Sequence, residues 1–158
     1  MKIIILFLLT LVTLVYSNRL QRDYLPLDVN FEFLQPEPFS CSNQQNCYNL
    51  TCALKTAFGK QMSWIAIRYE HIEHFCTLNP CGYWYDSQIY LRRGILFLDK
   101  NFQSIIDSAT VCDSVAGCNA ITCGSFKLWK EAHWMAISYV NFNEFCSKGT
   151  PYSYPCAA

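Results

Sequence analysis

The most chemically suggestive short run in the sequence is Glu70-His71-Ile72-Glu73-His74. In a helix, His71 and His74 would share a face and could bind one metal ion through their imidazole rings. The order differs from the H-E-x-x-H motif of zinc proteases, and a third ligand would have to come from elsewhere in the chain. A solvated helix face explains the same run more simply, so we expect no metal and no other cofactor.

Histidine and carboxylate chemistry is a second interpretation of these residues. Compact secreted hydrolases can use two histidines and glycosidases use paired carboxylates, which makes His71, His74 and His133 candidates. The sequence does not fix a distance between such groups. Gly124-Ser125 does not complete the G-x-S-x-G motif of a nucleophilic serine. We therefore expect no catalytic site, and we keep a small secreted hydrolase as an alternative.

Ten cysteines form the other group of reactive residues. They are Cys41, Cys47, Cys52, Cys76, Cys81, Cys112, Cys118, Cys123, Cys146 and Cys156. The first five are spaced C-x5-C-x4-C-x23-C-x4-C, and the last five are spaced C-x5-C-x4-C-x22-C-x9-C. At this density in an exported chain we expect disulfide bonds rather than metal thiolates, because the secretory pathway is oxidising.

The N-terminal segment is typical of an exported chain. Lys2 precedes an apolar run over residues 3–15, and small or β-branched residues follow at a cleavage site. These features predict a secretory signal peptide over residues 1–17. The run is shorter than the roughly 20 residues that span a bilayer. We therefore expect an extracellular mature chain without a membrane span.

The charge pattern argues against two classes of partner. Of the 12 basic residues in the chain, removal of Lys2 leaves 11, against 12 acidic residues. These charges are scattered, and a nucleic-acid-binding protein needs a concentrated basic face. We expect neither a nucleic acid nor an anionic membrane surface as a partner.

Residues other than cysteine also recur in the two halves. The offset is 71 residues and falls to 70 after a one-residue deletion. The matching pairs include Arg22/Arg93, Leu25/Leu96, Leu27/Leu98, Asp28/Asp99, Asn30/Asn101, Phe31/Phe102, Thr51/Thr122, Trp64/Trp134, Tyr69/Tyr139 and Phe75/Phe145. We therefore predict two tandem pseudo-repeats of about 70 residues, over 18–88 and 89–158, that share a fold and are related by an approximate twofold axis or stacked side by side.

Each repeat holds an odd number of cysteines, so neither can pair all of its cysteines internally. Two bridges within each repeat and one between them is the most economical scheme. A free thiol in each repeat, or a bridge to another chain, is the alternative. Ten cysteines allow on the order of a thousand connectivities, and the sequence does not choose among them.

Hydrophobic periodicity gives a coarse secondary structure. Alternating apolar residues predict a strand that ends near Leu27, and near Leu98 in the second repeat. After this strand, Asp99 could be the N-cap of a helix. Apolar residues at steps of three and four favour helices over 60–75 and 130–145, with strands as the alternative. The fold class we predict is α+β, with a mainly α protein as the alternative.

Aromatic residues that do not recur are candidates for recognition. They are Tyr83, Trp84, Tyr85, Tyr90, Tyr152 and Tyr154. Tyrosine and tryptophan near turns are typical of recognition surfaces, although these rings could instead pack between the repeats.

Asn49-Leu50-Thr51 is a sequon that makes Asn49 a candidate glycosylation site. Thr51 recurs as Thr122, whereas Ala120 stands at the position equivalent to Asn49. A structural role for the threonine is therefore the alternative explanation of the sequon.

Together these features favour a secreted, disulfide-stabilised binding or interaction protein over an enzyme. The partner we expect is an extracellular protein or a small apolar ligand held between the repeats. Two alternatives remain. One is the small secreted hydrolase, and the other is a structural extracellular component cross-linked through a cysteine.

Overall fold

The computed structural model describes residues 21–77 and 92–148, apart from a few side chains within the helices. The strands are β1 (Arg22–Leu27), β2 (Phe39–Cys41), β3 (Trp64–Tyr69), β4 (Arg93–Leu98), β5 (Thr110–Cys112) and β6 (Trp134–Tyr139). The helices are α1 (Gln44–Phe58), α2 (Ile72–Thr77), α3 (Val115–Leu128) and α4 (Phe142–Lys148), and a 3-10 turn covers Gly59–Gln61. The predictions of a mixed α+β class and of a disulfide-rich chain are confirmed.

The six strands form one antiparallel sheet in the order β2-β1-β3-β6-β4-β5. At its centre β3 pairs with β6, with Ala66 opposite Ala136, and we call this central pairing the seam. On one side of the seam, β1 pairs with β3 over six residues and with β2 over three. On the other side, β4 pairs with β6 over six residues and with β5 over three. Strand lengths and pairings are therefore the same on both sides.

Both faces of the sheet are covered. On the face that packs against α1 and α3, Ile65 is 1% exposed and Phe97 is fully buried. On the opposite face, Ala66 and Leu98 are fully buried beneath aromatic residues of the loops that follow β1 and β4. A central strand buried on both faces reads as a continuous apolar run rather than as an alternation, which is what residues 65–67 and 135–137 show.

The predicted helices over 60–75 and 130–145 are wrong. β3 and α2 occupy most of the first segment, and β6 and α4 occupy most of the second. Ile65 and Tyr69 are four residues apart, yet they share a face of β3 because residues two or four apart in a strand point the same way. The stripe then continues into α2, which gives the sequence a helical period. Trp64 does not fit the stripe of a helix, because its side chain lies on the opposite covered face of the sheet.

Asp28 closes the tight turn that follows β1. Its Oδ1 accepts hydrogen bonds from the backbone N–H groups of Asn30 and Glu32, at 2.8 and 3.0 Å. Phe31 then adopts a φ of 64°, in the left-handed region that is costly for a residue with a side chain. Its ring stacks on Trp64 with the centroids 5.5 Å apart, and this contact offsets the backbone strain.

The turn after β4 has the same construction. Asp99 Oδ1 accepts hydrogen bonds from the N–H groups of Asn101 and Gln103, also at 2.8 and 3.0 Å. Phe102 has a φ of 61°, and its ring lies 5.2 Å from that of Trp134. No helix begins at Asp99, which could have served as an N-cap, because its carboxylate caps a turn instead.

Side chains cap the first turns of the two long helices. Asn43 Oδ1 accepts a hydrogen bond from Asn46 N–H at 2.8 Å at the start of α1, and Ser114 Oγ accepts one from Gly117 N–H at 3.0 Å at the start of α3. α1 ends before Gly59, whose φ of 56° suits a glycine. Within the described residues, no helix is long and apolar enough to cross a membrane.

Four disulfide bonds join the eight cysteines that the structure describes. Two close short loops, namely Cys41–Cys47 and Cys112–Cys118. Two cross from one side of the seam to the other, namely Cys52–Cys146 and Cys76–Cys123. The expected scheme of two bridges within each repeat and one between them is therefore wrong. Cys81 and Cys156 lie outside the described residues.

The crossed bridges follow from how the helices pack. The hydroxyl of Tyr48, on α1, donates to the carbonyl oxygens of Phe145 and Cys146 on α4, at 2.9 Å each. The Tyr48 ring also lies 5.2 Å from that of Phe145. α1 therefore packs on the short helix from the other side of the seam, and Cys52 meets Cys146 there.

Candidate functional site

The histidines that suggest metal or hydrolytic chemistry lie in different elements. His71 immediately precedes α2, and its carbonyl oxygen accepts a hydrogen bond from Phe75 N–H at 2.9 Å. His133 immediately precedes β6, and its backbone N–H donates to Leu98 O at 2.8 Å. In the part of the chain that the structure describes, no three His, Cys, Asp or Glu side chains are grouped to hold a metal ion. The side chain of His74 lies outside this part.

The candidate recognition residues also lie outside the described residues. They are Tyr83, Trp84, Tyr85, Tyr90, Tyr152 and Tyr154. Their role in recognition stays a prediction, and the candidate site below is built from other residues.

Asn49 is exposed on α1, whereas the threonine of its sequon is part of the core. Thr51 is 2% exposed, and its hydroxyl donates to Cys47 O at 2.8 Å. Thr122 is equally buried in α3, and its hydroxyl donates to Cys118 O at 2.8 Å. The recurrence of the threonine thus has a structural reason. Glycosylation of Asn49 stays a prediction.

Two substitutions that both destroy the sequon separate these roles. Thr51→Ala is expected to lower the free energy of unfolding by about 1 kcal/mol, because the lost buried hydrogen bond and methyl group outweigh a gain in helix propensity of about 0.5 kcal/mol. Asn49→Gln is expected to change it by less than about 0.5 kcal/mol. Urea unfolding of the two variants, each deglycosylated, measures the difference. Equal stabilities would show that the Thr51 hydroxyl does not support the core.

Arginines stack on aromatic rings on the face of the sheet that the helices cover. Arg22 is 7% exposed, and its Cζ lies 5.4 Å from the ring centroids of both Tyr69 and Phe75. Arg93 lies 5.3 Å from the ring of Tyr139. Burial raises the pKa of Tyr69 to about 12, against the opposite effect of Arg22. A phenol that stays neutral at physiological pH is suited to packing rather than to proton transfer.

An open groove of ≈600 Å³ lies between α1 and α4, and we call it the seam groove. The residues from α1 and the turn after it are Cys52, Lys55, Thr56, Gly59 and Lys60. Those from α4 are Phe142, Asn143, Cys146 and Ser147. Because the Cys52–Cys146 bridge ties the two helices together at the groove, its walls are covalently fixed to each other.

Lys55 is the best-positioned polar side chain of the seam groove. It lies in the last turn of α1, and its Nζ donates to Gly59 O at 3.2 Å. The same Nζ lies 5.2 Å from the centroid of the Phe142 ring, within the range of a cation–π interaction. These two contacts hold the ammonium group at the groove wall rather than leaving it free in solvent.

The hydroxyl groups of the groove are already committed as donors. Thr56 Oγ1 donates to Cys52 O at 3.0 Å, and Ser147 Oγ donates to Glu144 O at 3.5 Å. A hydroxyl has one donor and two acceptor positions, so both oxygens can still accept from a bound molecule. The groove therefore combines ammonium donors and hydroxyl acceptors with the apolar surfaces of Phe142 and the disulfide.

Comparisons of the chain with protein-family models, with curated proteins and with solved structures find no match. Function therefore has to be argued from the geometry of the chain itself. None of the seam-groove lysines is among the residues that the sequence singles out. The signal that could have identified them is the contrast between the two halves, since Lys55 falls where the second half has Phe126.

Proposed function

We propose that this protein is an extracellular binding protein and that its ligand occupies the seam groove. Four disulfide bonds among the described residues are typical of a secreted protein, because the secretory pathway is oxidising. The groove has a volume within the range of about 300–1,000 Å³ that is usual for small-ligand sites. Its position supports the proposal as well, since it lies where a helix from one side of the seam meets a helix from the other.

We also propose that the two sides of the seam are copies of one unit, related by an approximate twofold axis through the seam. The cysteine pairing supports this interpretation. At the sequence offset, Cys52 corresponds to Cys123 and Cys146 to Cys76, so a twofold axis turns one crossed bridge into the other. The seam register fits the same axis, because Ile65 pairs with Ile137 and Ile67 pairs with Met135.

One observation carries the functional proposal: the two crossed bridges have different surroundings. The counterparts of the groove residues around Cys76–Cys123 are Phe126, Lys127, Lys130, Ile72, Glu73 and Thr77, and no glycine matches Gly59. Lys55 thus corresponds to Phe126 and Asn143 to Glu73, whereas Lys60, which follows the one-residue deletion, corresponds to Lys130. A purely structural requirement would act equally at both bridges. Side chains found at only one of them indicate a role specific to that end of the molecule.

The pairing of the described cysteines also favours binding over cross-linking. All eight are used in bridges within the chain. An extracellular component cross-linked through cysteine would have to rely on Cys81 or Cys156.

Blocking the groove tests the proposal. Thr56→Trp places an indole in the groove, and Lys127→Trp places one at the corresponding position beside the other bridge. Small organic acids, amides and amines are screened by thermal shift, and hits are measured by equilibrium dialysis. We expect a hit to bind the wild type and Lys127→Trp alike, and to bind Thr56→Trp at least tenfold more weakly. Absence of any hit, or equal binding to Thr56→Trp, would contradict the proposal.

A further inference from the structure

We infer that the seam groove selects a small organic carboxylate with an apolar body; this inference rests on the proposed function. Of the nine described residues that line the groove, Lys55 and Lys60 carry charge and both are cationic. The carbonyl groups at the end of α1 contribute about half a negative charge there. The positive charge of the two ammonium groups is larger than this partial negative charge. The net charge of the site is therefore positive but small, which favours an anion of low charge.

The fixed position of Lys55 strengthens this preference. An ammonium group has three N–H donors, and the hydrogen bond to Gly59 O uses one of them. The remaining donors can reach a carboxylate without much loss of side-chain freedom, because the Phe142 ring already restrains the group. Lys60 is exposed at the rim of the groove and can attract the same anion from solution.

The rest of the groove selects for an apolar body rather than for a bare ion. The Phe142 ring, the Cys52–Cys146 disulfide and the backbone at Gly59 also line it. Apart from its immediate chain neighbours, no atom lies within 4 Å of the point where a side chain at Gly59 would begin, so there is open space for a bound ring beside it. An inorganic anion would leave that apolar surface uncovered and would gain only the charge interaction.

The opposite crossed bridge provides an internal control. The counterparts of Lys55 and Asn143 there are Phe126 and Glu73, so one ammonium group is missing and one carboxylate that would repel a bound anion is added. Carboxylate binding is therefore expected at one bridge and not at the other.

Three compounds with the same phenyl ring and chain separate charge from shape. Equilibrium dialysis against the full chain is carried out with 3-phenylpropionate, 3-phenylpropanamide and 3-phenylpropylamine, and with inorganic phosphate as a bare anion. We expect the carboxylate to bind at least tenfold more tightly than the other three. Lys55→Gln should weaken its binding about tenfold and Lys60→Gln about threefold, whereas Lys127→Gln should have no effect.

The outcomes distinguish the ligand class from the function. If the amide or the amine binds as tightly as the carboxylate and Thr56→Trp abolishes that binding, the inferred class is wrong and the binding function stands. Equal binding of phosphate would show that charge alone is recognised and would also overturn the class. If none of the compounds binds the wild type, and the wider screen is empty too, both proposals fail. Non-reducing peptide maps of the lysine variants confirm that their bridges are native.

Discussion

Replacing Cys52 and Cys146 together by alanine is expected to lower the free energy of unfolding by about 2–5 kcal/mol. The bridge joins residues 94 apart, and closing a loop of that length is worth roughly 4–5 kcal/mol in the chain-entropy model. Removing the bridge also loosens α4 from α1, between which the Tyr48 contacts and the Lys55–Phe142 interaction would remain. Urea unfolding followed by tryptophan fluorescence measures the change.

The second crossed bridge provides a matched variant. Cys76–Cys123 joins residues 47 apart, and halving the loop length lowers the expected contribution by only about 0.6 kcal/mol. C76A/C123A should therefore lose nearly as much stability as C52A/C146A. Because one loop lies within the other, each bridge shortens the loop that the other closes, so the quadruple variant should lose somewhat more than the sum of the two losses and be largely unfolded at 37 °C. An unchanged urea midpoint in either double variant would refute this account.

Peptide mapping tests the pairing directly. Tryptic peptide 131–148 contains Cys146 as its single cysteine, and peptide 23–55 contains Cys52. Without reduction, these two peptides should travel as one species, as should peptides 69–92 and 101–127, which contain Cys76 and Cys123. Recovery of 131–148 joined to 69–92 would overturn the crossed scheme.

A carboxylate placed at the seam should have an effect of similar size. Ala66 and Ala136 lie opposite each other and are fully buried. Aspartate is too short to carry its charge out to solvent from either position, and leaving a buried charge uncompensated costs about 3–5 kcal/mol. Ala66→Asp and Ala136→Asp are therefore each expected to lower the free energy of unfolding by at least that amount, or to abolish cooperative unfolding.

The proposed twofold axis adds a further requirement, which is that the two losses be nearly equal. Ala53→Asp is the control, because Ala53 is exposed on α1 and its replacement should cost only about 0.6 kcal/mol of helix propensity. Arg68 lies two residues from Ala66 where the second half has Ser138, so the comparison is made in an Arg68→Ser background; if one seam position still tolerates aspartate there while the other does not, the axis is wrong. Urea midpoints of the three variants decide between these results.

The first strand of each half could be predicted from the sequence, and so could its end. Strands β1 and β4 end at Leu27 and Leu98 as expected, although both faces of these strands are buried, as Phe97 and Leu98 show. The prediction fails at β3 and β6, because apolar residues four apart on one face of each strand form a stripe that continues into α2 and α4. Strand and helix then fit the same pattern, and only the position of Trp64 pointed to the strand.

Neither long helix was predicted, although α1 carries a usable stripe. Leu50, Leu54 and Phe58 recur every four residues, and Asn43 caps the first turn. Cysteines and threonines lie between these positions and hide the stripe, because they are packed as apolar or hydrogen-bonded groups only in the folded chain. Thr51 shows this, since its burial depends on a hydrogen bond within its own helix.

The candidate site was harder to predict than the fold. Lys55 and Phe142 are 87 positions apart in the sequence, and no local pattern relates them; they meet because α1 packs on a helix from the other side of the seam. The odd number of cysteines in each half does require a bond outside that half if every cysteine is bridged. It does not say that the halves exchange two bridges, because that depends on which helices pack together.

The exchanged bridges have a consequence for processing of the chain. Cys52–Cys146 and Cys76–Cys123 each join a residue before position 78 to one after position 91. A protease that cut the polypeptide between these positions would release nothing, because two disulfides and the hydrogen bonds between β3 and β6 would still join the products. The cleaved protein would migrate as a single species until it was reduced, and then as two fragments.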